Sequence, residues 1–189
     1  MKIGIFGGTF DPFTKAHLAI VEKVLEQNLV DKVIILPTIV SWHRAGKNNW
    51  LTDIEKIYCI NMFIANSDYK DRITVDMHEI TYVKTAFSKY IYDRRYVHML
   101  SDAIFRYGIN NEYYTIIGTD SLVQFNTWWK YDVILGLSQL IAVSGRDNVE
   151  LPKDTYNAQI VSIDKKYFDV SASKIRSKFD NLDSYLETI

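Results

Sequence analysis

Short apolar runs alternate along the chain with stretches whose apolar positions recur every three or four residues, which predicts strands interleaved with helices. Ile3 to Phe6 is one such run, and Lys32 to Pro37 (Lys-Val-Ile-Ile-Leu-Pro) is another, apolar on both faces as a covered parallel strand would be. Ile73 to Met77, Tyr113 to Ile117, Leu140 to Val143 and Ile160 to Ile163 read as further strands. Leu18, Val21, Val24 and Leu25 predict a helix from about Lys15 that Asn28 can close. Thr52 or Asp53 can cap a second helix, running to about Asn66, with Ile54, Ile57, Tyr58, Met62 and Phe63 on one side. From residue 79 to 107 the spacing of Phe87, Ile91, Tyr92, Tyr96, Met99, Leu100, Ile104 and Phe105 supports helix, which Asp93-Arg94-Arg95 can break and Gly108 ends. A short helical stretch ends near Leu135, and a last helix starts at Ser171.

Strands that alternate with helices imply right-handed crossovers. The expected fold is therefore α/β, a Rossmann-like doubly wound parallel sheet with helices on both faces, in a single domain over residues 1–189. Ligands of such sheets sit beyond the carboxyl ends of the strands. Loops at Gly7 to His17, Gly118 to Asp120 and Ser144 to Asp147, and the one carrying His43 and Arg44, leave strands at that end. There is no repeat, low-complexity tract or interdomain linker.

Composition narrows the function class. At 189 residues and 48% hydrophobic content the chain can bury a substantial core, and a formal net charge of -1 with no basic stripe argues against a nucleic-acid binder. The single cysteine, Cys59, lies in an apolar helical segment, so an internal disulfide and a multi-cysteine metal site are both excluded and a buried thiol is expected. The chain starts directly on a strand, with no signal-peptide pattern and no apolar run of membrane-spanning length, so a cytoplasmic protein with no membrane partner is expected. Aromatic residues make up 14% of the chain, which suits packing and also base stacking.

Two tracts have the chemistry of phosphate binding. In the first, Gly7 and Gly8 let backbone approach a ligand closely, a turn follows at Asp11-Pro12, and the loop runs into a helix start. Free N–H groups and the helix dipole favour an anion there, with Thr9, Thr14 and His17 as further donors. In the second, Val-Ser-Ala-Ser-Lys-Ile-Arg over residues 170–176, Ser171 or Ser173 can cap a helix or bind phosphate, with Arg176 within one turn of both. The plainer alternatives are an ordinary strand-turn-helix and a capped surface helix.

The first tract resembles the opening signature of the nucleotidyltransferases that share a Gly-x-Phe-Asp-Pro turn followed by a His/Thr-x-Gly-His tetrad, which reads Thr14-Lys15-Ala16-His17 here with Ala for the usual Gly. The second is similar to that superfamily's Ile-Ser-Ser/Ala-Thr/Ser-x-Ile-Arg element. A third, Ile-Ile-Gly-Thr-Asp-Ser-Leu over residues 116–122 with Phe125, Thr127, Trp128, Trp129, Tyr131, Ile134 and Leu135, resembles the bacterial nicotinate mononucleotide adenylyltransferases. The resemblance implies AMP transfer from ATP to a pyridine mononucleotide, with His17 and Thr14 catalytic. It further implies ATP contacts from Gly7, Gly8, Thr9, Phe10, Thr14, His17, Ser171, Ser173 and Arg176, and from Arg146 near the adenosine. Mononucleotide contacts would come from Gly8, His43, Arg44, Gly118, Asp120 and Trp128, with Trp129 second to Trp128. His43 and Arg44 match a Pro-His-Lys/Arg element, although Ser-Trp precedes them.

Magnesium is expected to arrive with ATP, no protein metal site is expected, and self-association stays open with no residues assigned to it. Two departures stand out. The family's Ser-Tyr-Thr is echoed only by Tyr96-Val97 after an insertion around Thr85 to Arg94, and the sequence stops about one helix short of many relatives. The competing readings are another adenylyltransferase of the superfamily, such as pantetheine-phosphate adenylyltransferase, and a nucleotide-binding regulator without turnover.

Overall fold

The computed structural model describes residues 1–38, 49–82, 95–145, 150–167 and 169–188. Its strands are β1 (Lys2–Gly8), β2 (Lys32–Pro37), β3 (Ile73–Val75), β4 (Glu112–Gly118), β5 (Gln139–Ser144) and β6 (Gln159–Ser162). The helices are α1 (Lys15–Glu26), α2 (Asp53–Ala65), α3 (His78–Tyr82), α4 (Tyr96–Tyr107), α5 (Thr119–Val123), α6 (Tyr131–Leu137), α7 (Ala172–Lys178) and α8 (Leu182–Leu186). All six strands pair in parallel in one sheet of order β3-β2-β1-β4-β5-β6. This is the doubly wound order, and it reverses between β1 and β4, so the loops leaving those two strands open onto one crevice.

Alternation along the strands sorts the core into two layers. Val33, Ile35, Ile116, Ile141 and Val143 face one layer with α1, α2, α7 and α8, whereas Ile34, Leu36, Ile117, Leu140 and Ala142 face the other with α4, α5 and α6. Helix ends follow local chemistry. Thr52 opens α2 in a capping box, its Oγ1 accepting from the Glu55 N–H (3.3 Å) while the Glu55 carboxylate accepts from the Thr52 N–H (2.7 Å). Asn28 closes α1 as expected, in the left-handed region (φ 52), where its N–H donates to the Leu25 carbonyl (3.0 Å) and that of Leu29 to the Val24 carbonyl (3.2 Å).

Two expectations need correcting. Strand β3 stops at Val75 instead of Met77, because the buried Asp76 carboxylate accepts the His78 N–H (2.8 Å) and turns the chain into α3. Ile54, Tyr58 and Met62 do not share the buried side of α2 with Ile57 and Phe63: they are exposed, Ile54 at 76%, and Lys56, Cys59, Ile60 and Ile64 are buried instead. Apolar residues surround this helix almost completely, so periodicity selects no unique face and packing on the sheet decides. In the stretch from residue 79 to 107 the described residues form helix in α3 and α4, which ends at Gly108; Phe87, Ile91, Tyr92 and the whole of the insertion around Thr85 to Arg94 lie outside the described residues.

Candidate active site

At the reversal point lies a cavity of about 410 Å³, lined by Gly7 and Gly8 of β1 with Thr9 and Phe10 of the loop after it, by Ala16 and His17 of α1, by Gly118 at the end of β4 and Asp120 of α5, and by Trp128, Ser171 and Ser173. Three tracts that are far apart in sequence therefore meet in one place. Thr14, Arg176 and Trp129 do not line it.

Thr14 is fully buried and begins α1. Its Oγ1 accepts the His17 N–H (3.4 Å), and its own N–H donates to His17 Nδ1 (3.0 Å). A backbone N–H only donates, so Nδ1 carries no proton and the neutral ring must carry it on Nε2. The rings of Phe6, Phe10 and Phe13 stand 6.2, 5.3 and 5.2 Å from the imidazole, and burial pulls the His17 pKa down to about 4. His17 is thus an uncharged donor at neutral pH. Thr14 itself is set back from the cavity and holds the ring and tautomer of His17.

Both glycines of this loop stand close against aromatic rings. A Cβ on Gly8 would stand 2.8 Å from the Phe10 ring, and one on Gly7 would stand 3.0 Å from the ring of Tyr96. Gly118 is overlaid by its own loop, since an added Cβ would lie 2.4 Å from Asp120 Oδ1, which also accepts the Ser121 N–H (2.9 Å).

At the phosphate-rich end of the expected site, Ser171 caps α7 by accepting the Lys174 N–H (3.3 Å). Arg176 turns away from the cavity. One of its nitrogens donates to the Asp11 carbonyl and another to Ser173 Oγ (3.1 Å), so the guanidinium bridges α7 and the loop after β1.

The adjacent tryptophans have different fates. Trp128 is half-buried, with Tyr96 and Phe125 ring centroids at 5.2 and 5.3 Å, and it borders the cavity. Trp129 points outward, stacked on His98 at 5.1 Å, with the Arg95 guanidinium 4.3 Å and the Lys130 ammonium 4.6 Å from its ring. The secondary role expected of Trp129 on the pyridine ring therefore has no geometric support.

His43, Arg44 and Arg146 lie outside the described residues. The sequence placed Asp11 only in the turn before Pro12 and gave no part to Lys56, and both are buried. The Asp11 carboxylate accepts the N–H groups of Trp50 (3.0 Å) and Leu51 (2.8 Å), and Lys56 Nζ donates to the Thr38 carbonyl at 3.4 Å. An aspartate before a proline reads as a turn former, and a lysine in a helix as a solvated face, so neither carried a signal.

Among the described residues no group of three or more His, Cys, Asp or Glu side chains could hold a metal, and no helix is long and apolar enough to cross a membrane. Among the described residues that line the cavity, Asp120 is the one carboxylate. The donor set of hydroxyl, imidazole and backbone N–H suits anions.

The sequence profile of the cytidylyltransferase-like family matches residues 5–178. A Fusobacterium nucleatum protein named "Probable nicotinate-nucleotide adenylyltransferase" is 33% identical over 96% of this chain and 89% of its own length. A protein of the same name from Campylobacter fetus is 30% identical over 95% and 88%. Among solved structures, Plasmodium falciparum nicotinic acid mononucleotide adenylyltransferase complexed with NaAD superposes with a TM-score of 0.75 at 16% identity, covering 98% of this chain and 89% of that one.

Proposed function

The chain belongs to the cytidylyltransferase-like family and, within it, to the nicotinate-nucleotide adenylyltransferases, and from that membership we propose that it transfers AMP from ATP to nicotinate mononucleotide, forming the dinucleotide of NAD biosynthesis and pyrophosphate. The observation that carries the reading at the level of residues is the cavity shared by His17, Ser171, Ser173, Gly118, Asp120 and Trp128.

The nucleophile is a phosphate monoester whose second pKa of about 6 leaves it ionised at neutral pH, so the reaction needs no general base. What remains is alignment of the attacking oxygen with the α-phosphorus and stabilisation of charge on the transferring group. His17 meets the second need. A neutral imidazole held by Thr14 offers its Nε2 proton to an α-phosphate oxygen without losing it, and its orientation is set before substrate arrives. Gly8, Thr9 and Phe10 offer backbone N–H groups to neighbouring oxygens, and Ser171 and Ser173 face the β- and γ-phosphates. Arg176 adds positive charge behind Ser173. Magnesium fits this site only as an ion carried on the triphosphate, with the phosphates and at most Asp120 as ligands, and there it would neutralise charge on the leaving pyrophosphate.

At the opposite end Trp128 stacks on the pyridine ring. Helix α4 starts beside it: Tyr96, its first residue, contacts both Trp128 and the position where a Gly7 Cβ would be, and among the described residues no side chain caps this helix. Helix-start N–H groups favour a carboxylate over a neutral amide, which supports nicotinate as the preferred base. A cytoplasmic place of work goes with these substrates. The test is to incubate the protein with ATP, magnesium and nicotinate mononucleotide, nicotinamide mononucleotide or phosphopantetheine, and to follow pyrophosphate. Release only with the first, or with a kcat/KM for it well above the others, is the expected result; none with any acceptor would leave the regulator reading standing.

A further inference from the structure

We propose that Asp11 is a positioning residue for the triphosphate half of the site, a part that rests on the adenylyltransferase reading. Asp11 is 2% exposed, and a carboxylate so placed is tolerated only when hydrogen bonds replace its hydration. Its two oxygens receive two consecutive backbone N–H groups from a segment about forty residues away, Trp50 at 3.0 Å and Leu51 at 2.8 Å, and Leu51 is itself 3% exposed. On its main-chain side the Asp11 carbonyl receives the Arg176 guanidinium, which also holds Ser173 Oγ.

One residue therefore joins three elements: the loop after β1, the start of α2, and α7. Each needs the tie. The loop leaves the sheet through Phe10 in the left-handed region (φ 45), so no ladder of strand hydrogen bonds supports it beyond Gly8. Helix α7 has only seven residues, and a single buried apolar side chain, Ile175, roots it in the core. The Asp11 node ties the loop that carries the Gly8 to Phe10 backbone to Ser173, and these are the two walls that would grip the triphosphate. Asp11 and Arg176 do not line the cavity, so a change at Asp11 alters the geometry of the grip and removes no lining donor.

Asp11→Asn tests this. The amide keeps the shape and one acceptor but turns an NH₂ toward one of the two N–H groups, so one bond is lost and the loop is released on that side. Misplacement of this size should raise the KM for ATP about tenfold or more and lower kcat, while the KM for nicotinate mononucleotide stays within about twofold. A general loss of structure would move both KM values together, and that outcome overturns the proposal, as does a variant with wild-type kinetics. Binding of a non-hydrolysable ATP analogue to both proteins by calorimetry provides a second readout that needs no turnover. If wild-type protein binds the analogue but makes no dinucleotide, the reaction assigned above is wrong, while an unchanged analogue affinity in Asp11→Asn sinks the positioning role alone. Should the variant not fold, amide exchange of Trp50 and Leu51 in wild-type protein decides: slower exchange with the ATP analogue than with mononucleotide supports the tie, and no difference overturns it.

Discussion

The His17 end and the tryptophan end of the cavity are built on opposite plans. At the His17 end the chemistry is local: Thr14 and His17 are three residues apart, one capping box sets the ring, and the surrounding Phe6, Phe10 and Phe13 come from the same short stretch. At the other end Trp128 and Trp129 are neighbours in sequence with opposite destinations, and Tyr96, which packs on Trp128, arrives from a different helix. A site assembled within one turn of chain is rigid as soon as that turn forms. A site assembled from distant elements depends on packing, and is where selectivity between acceptors can be adjusted without disturbing the phosphate chemistry.

The sharpest way to break this contrast is His17→Ala. Removal of one preorganised donor to developing charge costs about 10²- to 10³-fold in kcat, and here the loss should fall on kcat with little change in the KM for either substrate. The check is steady-state pyrophosphate release together with thermal unfolding, since a folded variant of normal activity would end the catalytic role of His17.

Trp128→Ala should act on the other end alone, weakening mononucleotide binding by about 1 to 3 kcal/mol with ATP binding untouched. Phe should restore most of the loss. Trp129→Ala, whose ring is already covered by His98, Arg95 and Lys130, should change mononucleotide affinity by far less. Equal effects of the two substitutions, measured by titration calorimetry, would mean that the pyridine ring does not sit on Trp128.

Gly7→Ala crosses the two regions and should be weaker again. Gly7 lies in the phosphate loop, but its added methyl meets the Tyr96 ring at 3.0 Å, which must shift and carry Trp128 with it. A several-fold rise in the mononucleotide KM, larger than the rise for ATP, is expected, and the reverse order would show the loop itself to be the more sensitive partner.

The smallest signal is in pH. The folded-state pKa of His17, about 4, lies below the unfolded value near 6.5, so the unfolded chain binds the proton first. The contribution of neutral His17 to stability is complete above about pH 6.5 and is lost as pH falls toward 4. Proton NMR should find the His17 ring titrating well below the ordinary histidine range, and a midpoint near 6.5 would contradict the enclosed, neutral ring.

Much of this was readable from the residues alone. The period of apolar positions predicts the six strands, the helix starts at Thr52 and Ser171 carry their own caps, and the parallel doubly wound sheet follows from strand and helix alternation. These are short-range properties, set by hydrogen bonds within a turn and by burial of a stripe or a face. What the tertiary structure alone decided is directional. It turned Ile54, Tyr58 and Met62 to solvent on a helix that is apolar nearly all round, and sent Trp129 outward while keeping Trp128 at the cavity. It also gave Arg176 to the Asp11 carbonyl. Residue type fixes which groups can donate, accept or stack; which partner each one meets depends on chain segments up to 165 positions apart, and only the packed sheet brings those together.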